Sequence, residues 1–577
     1  MMWKAVCVLF GAPMVLGITE LLQNSDFELN EFRPEDGAWY ANGCTADWES
    51  ESYTGNHSVK VTKRGSKWGG MAYDVTLSGS KNYYFKALIK LLNTHPGSLF
   101  ANVQVMMAVY GSSGSPKYTM LSEVRFMEPL MWQVIGGDFS TPADVKKVHL
   151  YVQILDTDVN YLLDTSTLHE IPTIPTNWRS QADLAIEKYR KADLNIRALG
   201  SADALKDLTV EVNQEKHEFG FGSAVSAAMI VDSQHKAYQN FFYDNFEWGV
   251  IENKLKWKQM EWSEGHVDYD TALNAIDAML KHGIQIRAHN VFWGVDRNIP
   301  KWQQGMTGQT LWKQMERRIQ GVIPRTKGKV EHWDVNNENV HGHFYEIGTG
   351  DANATMWMFR EIHKLDPNVK LFLNDFSVVK DRYSTQAFYD QAMMFKNTPN
   401  VPLYGLGIQS HLFPPIDMSV LKYRLDQILA TGLPIWITEL DISEPVEDRK
   451  ADLYEDVLRL YFSTPQIHGI MFWGFWDGRH SKPVAALASG QSVTPNAAGR
   501  RWQKLFKQDW RTVDQVRPLS TGQATIRGFK GRYSLTLKRH GVTLHNEEVI
   551  LGTGGTNLTI SMAGLGDTLH VSNILVG

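Results

Sequence analysis

The chain has 577 residues, of which 43% are apolar, and 58 basic residues stand against 63 acidic ones for a formal net charge of −5. This composition excludes a disordered chain and predicts a large globular protein of several domains. The charge is nearly balanced, and the sequence has no long basic run that could attract a polyanion. Nucleic acid is therefore not expected as a partner. Aromatic residues make up 11% of the chain, which suits a large core or flat rings that stack on a ligand.

The first 17 residues have the pattern of a secretory signal peptide. Lys4 precedes an apolar run over residues 5–16, and the small residue Gly17 follows it. The alternative is a buried N-terminal strand. The run is too short to span a bilayer, which takes about 20 residues, so no membrane association is expected. The prediction is a secreted, extracellular glycoprotein, and it is consistent with Asn-X-Ser/Thr sequons at Asn56, Asn353 and Asn557.

Residues 18–170 consist of short runs in which apolar and polar residues alternate. Such runs occupy residues 57–62, 83–90, 103–110 and 148–154. Period-two alternation at this spacing predicts an antiparallel β-sandwich domain. The proline-bearing connector 171–176 marks the domain boundary that follows.

From residue 217 to residue 510 the pattern changes to apolar strand-like runs separated by long helical stretches. This alternation predicts an α/β fold, a (β/α)8 TIM barrel. An open doubly wound sheet is the main competitor, but no Gly-x-Gly-x-x-Gly turn follows the first strand. The eight predicted strands cover residues 218–225, 247–253, 284–293, 330–338, 370–376, 405–412, 434–442 and 469–477.

Short β runs flank the barrel on both sides and predict a small C-terminal β unit. The runs 193–198 and 208–212 lie in the segment 171–216, and the runs 533–537 and 542–544 lie in the segment 511–577. A barrel brings its own ends close together, so the four runs are predicted to form one small sheet.

Active-site groups of a (β/α)8 barrel lie at the carboxyl ends of its strands. Nearly every predicted strand ends there in a polar or aromatic residue, which suits a polyhydroxylated ligand. Glu338 and Glu439 each close an apolar strand. Acetal cleavage needs two such carboxyl groups, one to protonate the leaving oxygen and one to attack the anomeric carbon, about 5–5.5 Å apart in a retaining enzyme. Either glutamate alone is more simply explained as a solvated strand end.

Six ordered motifs resemble glycoside hydrolase family 10, the retaining endo-β-1,4-xylanases. The resemblance implies Glu338 as acid/base and Glu439 as nucleophile, with Asn337 on the sugar 2-hydroxyl and His411 orienting Glu439. It also implies that Glu252, Asn253, Lys256, His289, Trp293 and Gln409 line the glycone side, with Trp473 stacking on its sugar and Trp476 nearby. The motifs are Glu252-Asn-Lys-Leu-Lys-Trp257, Arg287-Ala-His-Asn-Val-Phe-Trp293, Trp333-Asp-Val-Asn-Asn-Glu338, Leu371-Phe-Leu-Asn-Asp-Phe376, Gly407-Ile-Gln-Ser-His411 and Ile437-Thr-Glu-Leu-Asp441.

Two departures leave the substrate open. Many family members have a second histidine where Gly294 stands, and many have a second tryptophan where Ser481 aligns. A wider pocket would admit the hydroxymethyl group of glucose, so an endo-β-1,4-glucanase or a dual enzyme is the alternative to a xylanase. A non-catalytic glycan-binding protein is the alternative from another class. The expected partner is plant cell-wall polysaccharide, xylan or β-1,4-glucan, and the expected state is a monomer without a catalytic cofactor.

The N-terminal domain resembles carbohydrate-binding modules of the family 4/9/22 type. The resemblance rests on Leu21-Leu-Gln-Asn-Ser-Asp-Phe-Glu28, Ser58-Val-Lys-Val and Tyr161-Leu-Leu-Asp-Thr165. Trp68, Tyr73 and Trp132 are its candidate stacking rings, although a core role is about as common for each. Glu28 and Asp164 are candidate ligands of a structural calcium ion, as in similar sandwiches. His341, His343 and His480 do not have the spacing of a zinc site and are expected to be loop residues near the cleft.

Overall fold

The computed structural model describes residues 8–9, 12–13, 19–382, 384–564 and 569–577. Val8–Leu9 and Ala12–Pro13 form a short antiparallel pair, and the rest of the predicted signal segment lies outside the described residues. Among the described residues, no helix combines the length and the apolar character that a membrane crossing needs. The chain divides into two compact units, Met1–Ile174 with Ile251–Asn274 and Arg287–Thr438, and Pro175–Val250 with Ala275–Ile286 and Glu439–Gly577.

The N-terminal module is a sandwich of two five-stranded antiparallel sheets. In Ala101–Tyr110 alternate side chains are buried, which is the period expected of a strand with one face on the core. Rings such as Trp39, Phe85 and Tyr161 fill the space between the sheets. The predicted sandwich is confirmed. In spatial order the sheets are Trp132–Ser140, Asn82–Leu91, Tyr161–Glu170, Ser58–Thr62, Thr45–Glu49, and Tyr40–Asn42, Gly70–Val75, Lys147–Ile154, Ala101–Tyr110, Pro116–Met127.

A closed parallel barrel follows, and its eight strands are labelled here β1 to β8. The strands are β1 Gly220–Val225, β2 Trp248–Ile251, β3 Gln285–Ala288 with Phe292–Trp293, β4 His332–Asn337, β5 Lys370–Asp375, β6 Gly405–Ile408 with His411–Leu412, β7 Ile435–Ile442 and β8 Ile467–Phe472. Around the barrel, neighbouring strands follow the order β3, β2, β1, β8, β7, β6, β5, β4, and β3 pairs with β4 through Arg287 and His332 to close the ring. The predicted barrel is confirmed, and the open sheet is excluded.

Helices separate the barrel strands. A side chain caps the start of some of them, for example where Asp417 accepts the backbone N–H groups of Ser419 at 2.8 Å and Val420 at 3.3 Å. The α-helices are Trp178–Arg190, Ala202–Leu205, Ala227–Val231, Lys236–Asn245, Trp257–Met260, Asp270–Lys281, Gly308–Thr326, Phe344–Thr349, Ala354–Leu365, Ser384–Asn397, Met418–Leu429, Glu447–Ser463 and Ala497–Lys504. Short 3-10 turns lie at Pro34–Asp36, Ser233–His235, Asp296–Asn298, Lys301–Gln303 and Pro483–Ala485, and a π turn lies at Leu505–Asp509.

The small β unit contains two four-stranded sheets, which corrects the prediction of one. Leu208–His217 pairs with Gly531–Arg539 as expected, but Lys191–Leu199 pairs with Gln523–Phe529 and Thr556–Ala563 in the other sheet. Each sheet has one apolar face, and two sheets are needed to bury those faces in a shared core. The remaining strands are His570–Val576 beside Thr556–Ala563, and Gln515–Pro518 and Val542–Leu551 in the sheet of Leu208–His217. Ala488–Ser489 pairs with Thr494–Pro495 elsewhere.

Candidate active site

Glu338 directly follows β4, and two neutral side-chain donors contact its carboxyl group. The indole Nε1 of Trp293 donates to its Oε2 at 2.7 Å, and Nε2 of Gln409 donates to its Oε1 at 3.1 Å. The residue is 7% exposed and adopts φ of 58°, a left-handed conformation that is uncommon outside glycine and recurs at functional sites. The carboxyl group is therefore held in one orientation while its surface still reaches solvent.

Asn337 is oriented by a relay of amides. Its Oδ1 accepts from Nδ2 of Asn374 at 2.9 Å, and Oδ1 of Asn374 accepts from the hydroxyl of Thr438 at 2.6 Å. These bonds determine which end of the Asn337 amide carries the donor. Its Nδ2 is buried and has no hydrogen-bond partner among the described residues, so it is available to a ligand oxygen.

His289 is held by a buried carboxylate. Its Nδ1 donates to Oδ2 of Asp334 at 2.9 Å, and Arg287 contacts the other oxygen of the same carboxylate. A carboxylate only accepts, so the bonded Nδ1 carries the hydrogen. The three side chains are at most 2% exposed. The pairing compensates the buried charge and fixes the ring orientation.

Lys256 connects the loop after β2 to the Trp293 ring. Its Nζ donates to Oδ1 of Asn253 at 3.1 Å and lies 4.8 Å from the centroid of the Trp293 ring. Glu252 is half-buried in the same loop. Asn253, Lys256 and Trp293 thus form a chain of contacts, and Trp293 and Gln409 both contact Glu338.

The second predicted carboxylate, Glu439, lies on β7, whose residues are buried throughout. Asp441, two residues further on, projects from the same face of the strand and accepts from Nζ of Lys482 at 2.9 Å and 3.1 Å. The backbone N–H of Trp473 donates to the carbonyl of Leu440 at 3.0 Å. These contacts join the loop after β8 to the end of β7.

Three further predicted residues occupy strand ends. His411 is half-buried in the two-residue strand His411–Leu412, which pairs with β7. Trp473 and Trp476 are half-buried in the segment after β8, and Nε1 of Trp476 donates to the carbonyl of Gly490 at 2.7 Å. The Trp476 side chain is thereby fixed by its own loop.

Comparisons with known proteins identify the barrel and the N-terminal module. Residues 211–484 match the model of "Glycosyl hydrolase family 10", and residues 19–158 match that of "Carbohydrate binding domain". The chain contains a family 10 glycosyl hydrolase domain.

The relatives of the chain include a protein named as an anti-sigma factor and proteins named as endo-1,4-beta-xylanases. Anti-sigma-I factor RsgI6 of Acetivibrio thermocellus is 33% identical over 67% of this chain and 50% of its own length. Endo-1,4-beta-xylanase 3 of Arabidopsis thaliana is 28% identical over 88% of this chain and 67% of its own length. The chain spans about half the length of the first of these relatives. The solved CBM22-1-GH10 modules of Clostridium thermocellum xylanase 10B are 17% identical over 85% of this chain and 98% of theirs, with a TM-score of 0.44.

Gly294, where many family 10 domains have histidine, has no room for a side chain. A Cβ atom there would lie 2.2 Å from the carbonyl oxygen of Gly342. Backbone hydrogen bonds from Gly294 to Asn337 at 2.8 Å and from Phe344 to Gly294 at 3.0 Å hold this close approach. Backbone atoms of the loop after β4 thus occupy the space, so Gly294 itself does not widen the pocket. Ser481 is exposed.

The three candidate rings of the N-terminal module have different environments. Trp68 is 54% exposed and lines a groove of about 470 Å³ with Tyr40, Tyr110, Tyr118 and Tyr151. Tyr73 is 3% exposed and packs edge-on against Trp39, so its prediction as a stacking ring is wrong. Trp132 is half-buried on the other sheet, with its edge towards Tyr53, and does not line this groove.

Most of the groove rings were missed, and the sequence carries a signal for only part of them. Tyr118 is 64% exposed on its strand, and Tyr110 is half-buried at the end of a strand whose buried residues largely alternate. Exposed aromatic residues of this kind indicate a binding face. Tyr151 is only 8% exposed, so no exposed position marks it.

Asp334 was also missed. Its partners Arg287 and His289 belong to another strand, and the pattern along one strand does not identify partners on the next.

The predicted calcium ligands bind backbone N–H groups instead. Glu28 Oε1 accepts from Asn56 at 2.7 Å and His57 at 2.9 Å, which lowers the pKa of Glu28. Asp164 Oδ2 accepts from Tyr53 at 2.6 Å and Thr54 at 3.0 Å. A cation would compete with these donors for the same oxygens. The contacts do not fit a calcium site, and the described residues contain no group of three or more metal-ligating side chains.

The three loop histidines make ordinary polar and ring contacts. His341 bonds Asp375 at 2.6 Å and Ser384 at 3.0 Å. His343 stacks on Phe126 at 4.1 Å, and burial lowers its pKa to about 3. Nδ1 of His480 accepts the backbone N–H of Lys482 at 2.9 Å.

Proposed function

We propose that the chain is a retaining endo-β-1,4-xylanase that cleaves internal bonds of xylan by double displacement. The observation that carries the proposal is the environment of Glu338, which is held by Trp293 and Gln409 at the end of β4 in a family 10 domain. Glu439, which lies within the parallel strand β7, is proposed as its partner. The curated xylanases of Arabidopsis thaliana support the substrate class.

In the first step the Glu439 carboxylate attacks the anomeric carbon, and the bond from that carbon to the leaving oxygen breaks. Glu338 gives its proton to that oxygen. In the second step Glu338 takes a proton from water, and the water oxygen displaces Glu439 from the anomeric carbon. The rigid hold on Glu338 favours both steps, because one oriented group has to serve first as acid and then as base. The chemistry uses two carboxyl groups and water.

The sugar before the cut bond would lie against Asn337. The buried Nδ2 of this residue has no partner among the described residues, and a donor of this kind suits the sugar 2-hydroxyl, whose hydrogen bonds strengthen in the transition state. A ligand that satisfies this buried donor gains more than one that leaves it unpaired. Lys256, Asn253 and His289 would supply further polar contacts on this side, and Trp473 a stacking surface.

β-1,4-Glucan is proposed as a second substrate on the strength of Ser481. Where a tryptophan would close the pocket, an exposed serine leaves room for a hydroxymethyl group. Gly294 adds nothing to this argument, since backbone atoms fill its side-chain position. Rates on linear xylo-oligosaccharides and cello-oligosaccharides of equal length test the point. Inactivity on every cello-oligosaccharide would remove the glucanase part of the proposal.

A non-catalytic glycan-binding role is the competing function, and the match of residues 19–158 to a carbohydrate-binding domain supports it. Release of reducing ends from soluble xylan by the wild type and by Glu439→Ala separates the two. A xylanase loses several orders of magnitude in the variant, since nucleophile and acid act as a unit. Equal values in both proteins would support the binding function.

The cellular setting proposed for the protein is extracellular. The signal-like segment 1–17 and the sequons support secretion into a space that contains plant cell-wall polysaccharide. The Trp68 groove of the N-terminal module supports a second contact with the polysaccharide, by stacking of sugar faces on its rings. Trp68→Ala should weaken retention on insoluble xylan while leaving hydrolysis of soluble oligosaccharides unchanged.

A further inference from the structure

A second cavity, of about 410 Å³, lies where the N-terminal module meets the barrel loops within the first compact unit. The module contributes Met120, Glu123 and Arg125 from the strand Pro116–Met127. The barrel contributes residues of the loops after β3, β4 and β5, among them Arg297, His341 and Phe376. The cavity is therefore built by two domains.

The module is firmly held at this place. Arg424 makes a bidentate pair with Asp138, with both distances 2.7 Å, and the two side chains are largely buried. Nη2 of Arg382 donates to the backbone carbonyl of Met120 at 3.0 Å. Bidentate arginine contacts fix geometry as well as distance. The module wall of the cavity is thus part of the folded unit and not a tethered neighbour.

The cavity adjoins the loop that starts at Glu338. The backbone N–H of His341 donates to the carbonyl of Glu338 at 3.0 Å, and the His341 ring stacks on Phe376 at 3.7 Å. None of the residues predicted for the glycone side lines the cavity. Glu338 protonates the leaving oxygen in the proposed mechanism, and the cavity adjoins its loop without any predicted glycone residue, so the cavity is assigned to the side of the leaving sugar chain.

The lining has the chemistry of a sugar subsite. Phe376 offers an apolar ring, and the guanidinium groups of Arg125 and Arg297 offer planar arrays of donors for hydroxyl groups. Arg125 uses its Nε for Glu123 at 2.9 Å, and Glu123 is in turn held by Asn102 at 2.9 Å and Gln104 at 3.0 Å. This support orients the Arg125 guanidinium group at the cavity, and the side chain remains 54% exposed.

We propose that the N-terminal module completes the leaving-group side of the cleft, with Arg125 as the module residue that binds xylosyl units beyond the first one after the cut bond. This inference rests on the proposed xylanase function. It makes the module a part of the active cleft for long substrates, in addition to its Trp68 groove.

The test compares the full chain with Arg125→Ala on two substrates. Xylohexaose extends into the leaving-group side, whereas an aryl xylobioside carries no sugar there. The variant should lose about 10-fold in kcat/KM on xylohexaose, from a lost charged hydrogen bond, and retain its rate on the aryl xylobioside. Arg33→Ala is the matched control, because Arg33 is an exposed module arginine outside the cavity and should change neither rate.

The outcomes separate the two proposals. An unchanged kcat/KM of Arg125→Ala on xylohexaose, or an equal loss on both substrates, would overturn the role of the module in the cleft. A wild type that releases no product from either substrate would instead overturn the xylanase function itself.

Discussion

The indole N–H of Trp293 donates to the carboxyl group of Glu338 across 2.7 Å, and Lys256 approaches the same indole ring. The two bonded residues come from different strands, β3 and β4, in which Trp293 is paired with Asn337. Strand register therefore places the donor beside the proposed acid/base. The hydrogen bond requires the indole nitrogen of Trp293, which an aromatic ring without a nitrogen could not replace.

Trp293→Phe should retain most of the ring packing and lose the donor. A lost hydrogen bond to a charged group costs about 1.5–3 kcal/mol, so kcat/KM on soluble xylan should fall about 10-fold to 100-fold. Trp262→Phe is the control, because Trp262 is exposed and outside the site. Equal kinetics of Trp293→Phe and the wild type would show that the bond does not position Glu338 for catalysis.

Asp334→Asn should destabilise the fold as well as the site. Arg287 and His289 lie against this carboxylate with almost no exposure. Removal of one partner from a buried pair costs about 3–5 kcal/mol, because the remaining charge is uncompensated. The midpoint of thermal unfolding should drop clearly. Asp74→Asn is the control, because Asp74 contacts His149 at the surface, and it should change the midpoint only slightly. Equal changes of the midpoint in the two variants would show that burial of the Asp334 carboxylate does not contribute to stability.

Gly294→Ala tests the close approach of two backbone segments. The added Cβ would overlap the carbonyl of Gly342, so the loops after β3 and β4 would have to separate. Overpacking of this kind costs about 1–3 kcal/mol. Gly552→Ala is the control, since its Cβ meets nothing within 4 Å. A Gly294→Ala protein as heat-stable as the control variant would show that the space is open.

The contact of the N-terminal module with the helix Ser384–Asn397 should depend on pH. Burial raises the pKa of Asp390 from its ordinary 3.8 to about 8, and its carboxyl group accepts the backbone N–H of Val134 at 2.5 Å. Between these two pH values the folded protein holds a proton on Asp390 that the unfolded chain has lost. The free energy of unfolding therefore falls as the pH rises from about 4 to 8. Asp390→Asn removes this dependence while its amide oxygen still accepts the bond.

Thermal unfolding midpoints at several pH values measure this effect. The wild type should lose stability towards pH 8 by more than Asp390→Asn does, and the two curves should converge near pH 4. If the midpoints of the two proteins differed by the same amount at every pH from about 4 to 8, Asp390 would not take up a proton on folding.

The barrel and the positions of both glutamates were predictable because their signals are local. Apolar runs with helical stretches between them indicate parallel strands, and a polar residue at the end of such a run marks the open face. Asn337 and Glu338 carry this signal at the end of β4, and Glu439 lies within β7, a little before its end. Strand boundaries moved by only a few residues, and two predicted strands proved to be interrupted.

Other features depend on contacts between distant segments. Tyr73 was a candidate stacking ring for which a core role was about as common, and the packing of the two sheets places it in the core beside Trp39. The missing side chain at Gly294 leaves no empty space, because backbone atoms of Gly342 in another loop occupy the position of a Cβ atom. The division of the small β unit into two sheets likewise reflects which strands meet, and alternation within one strand does not record its partner.

The most direct test of the central claim is the identity of the residue that becomes glycosylated during turnover. A 2-deoxy-2-fluoro-xylobioside with a good leaving group slows the second step, so the intermediate accumulates and peptide mass spectrometry locates the sugar. The account predicts one added xylobiosyl group on Glu439, formed rapidly in the wild type. A label on any other residue, or complete turnover of the active enzyme without a covalent adduct, would contradict double displacement through Glu439.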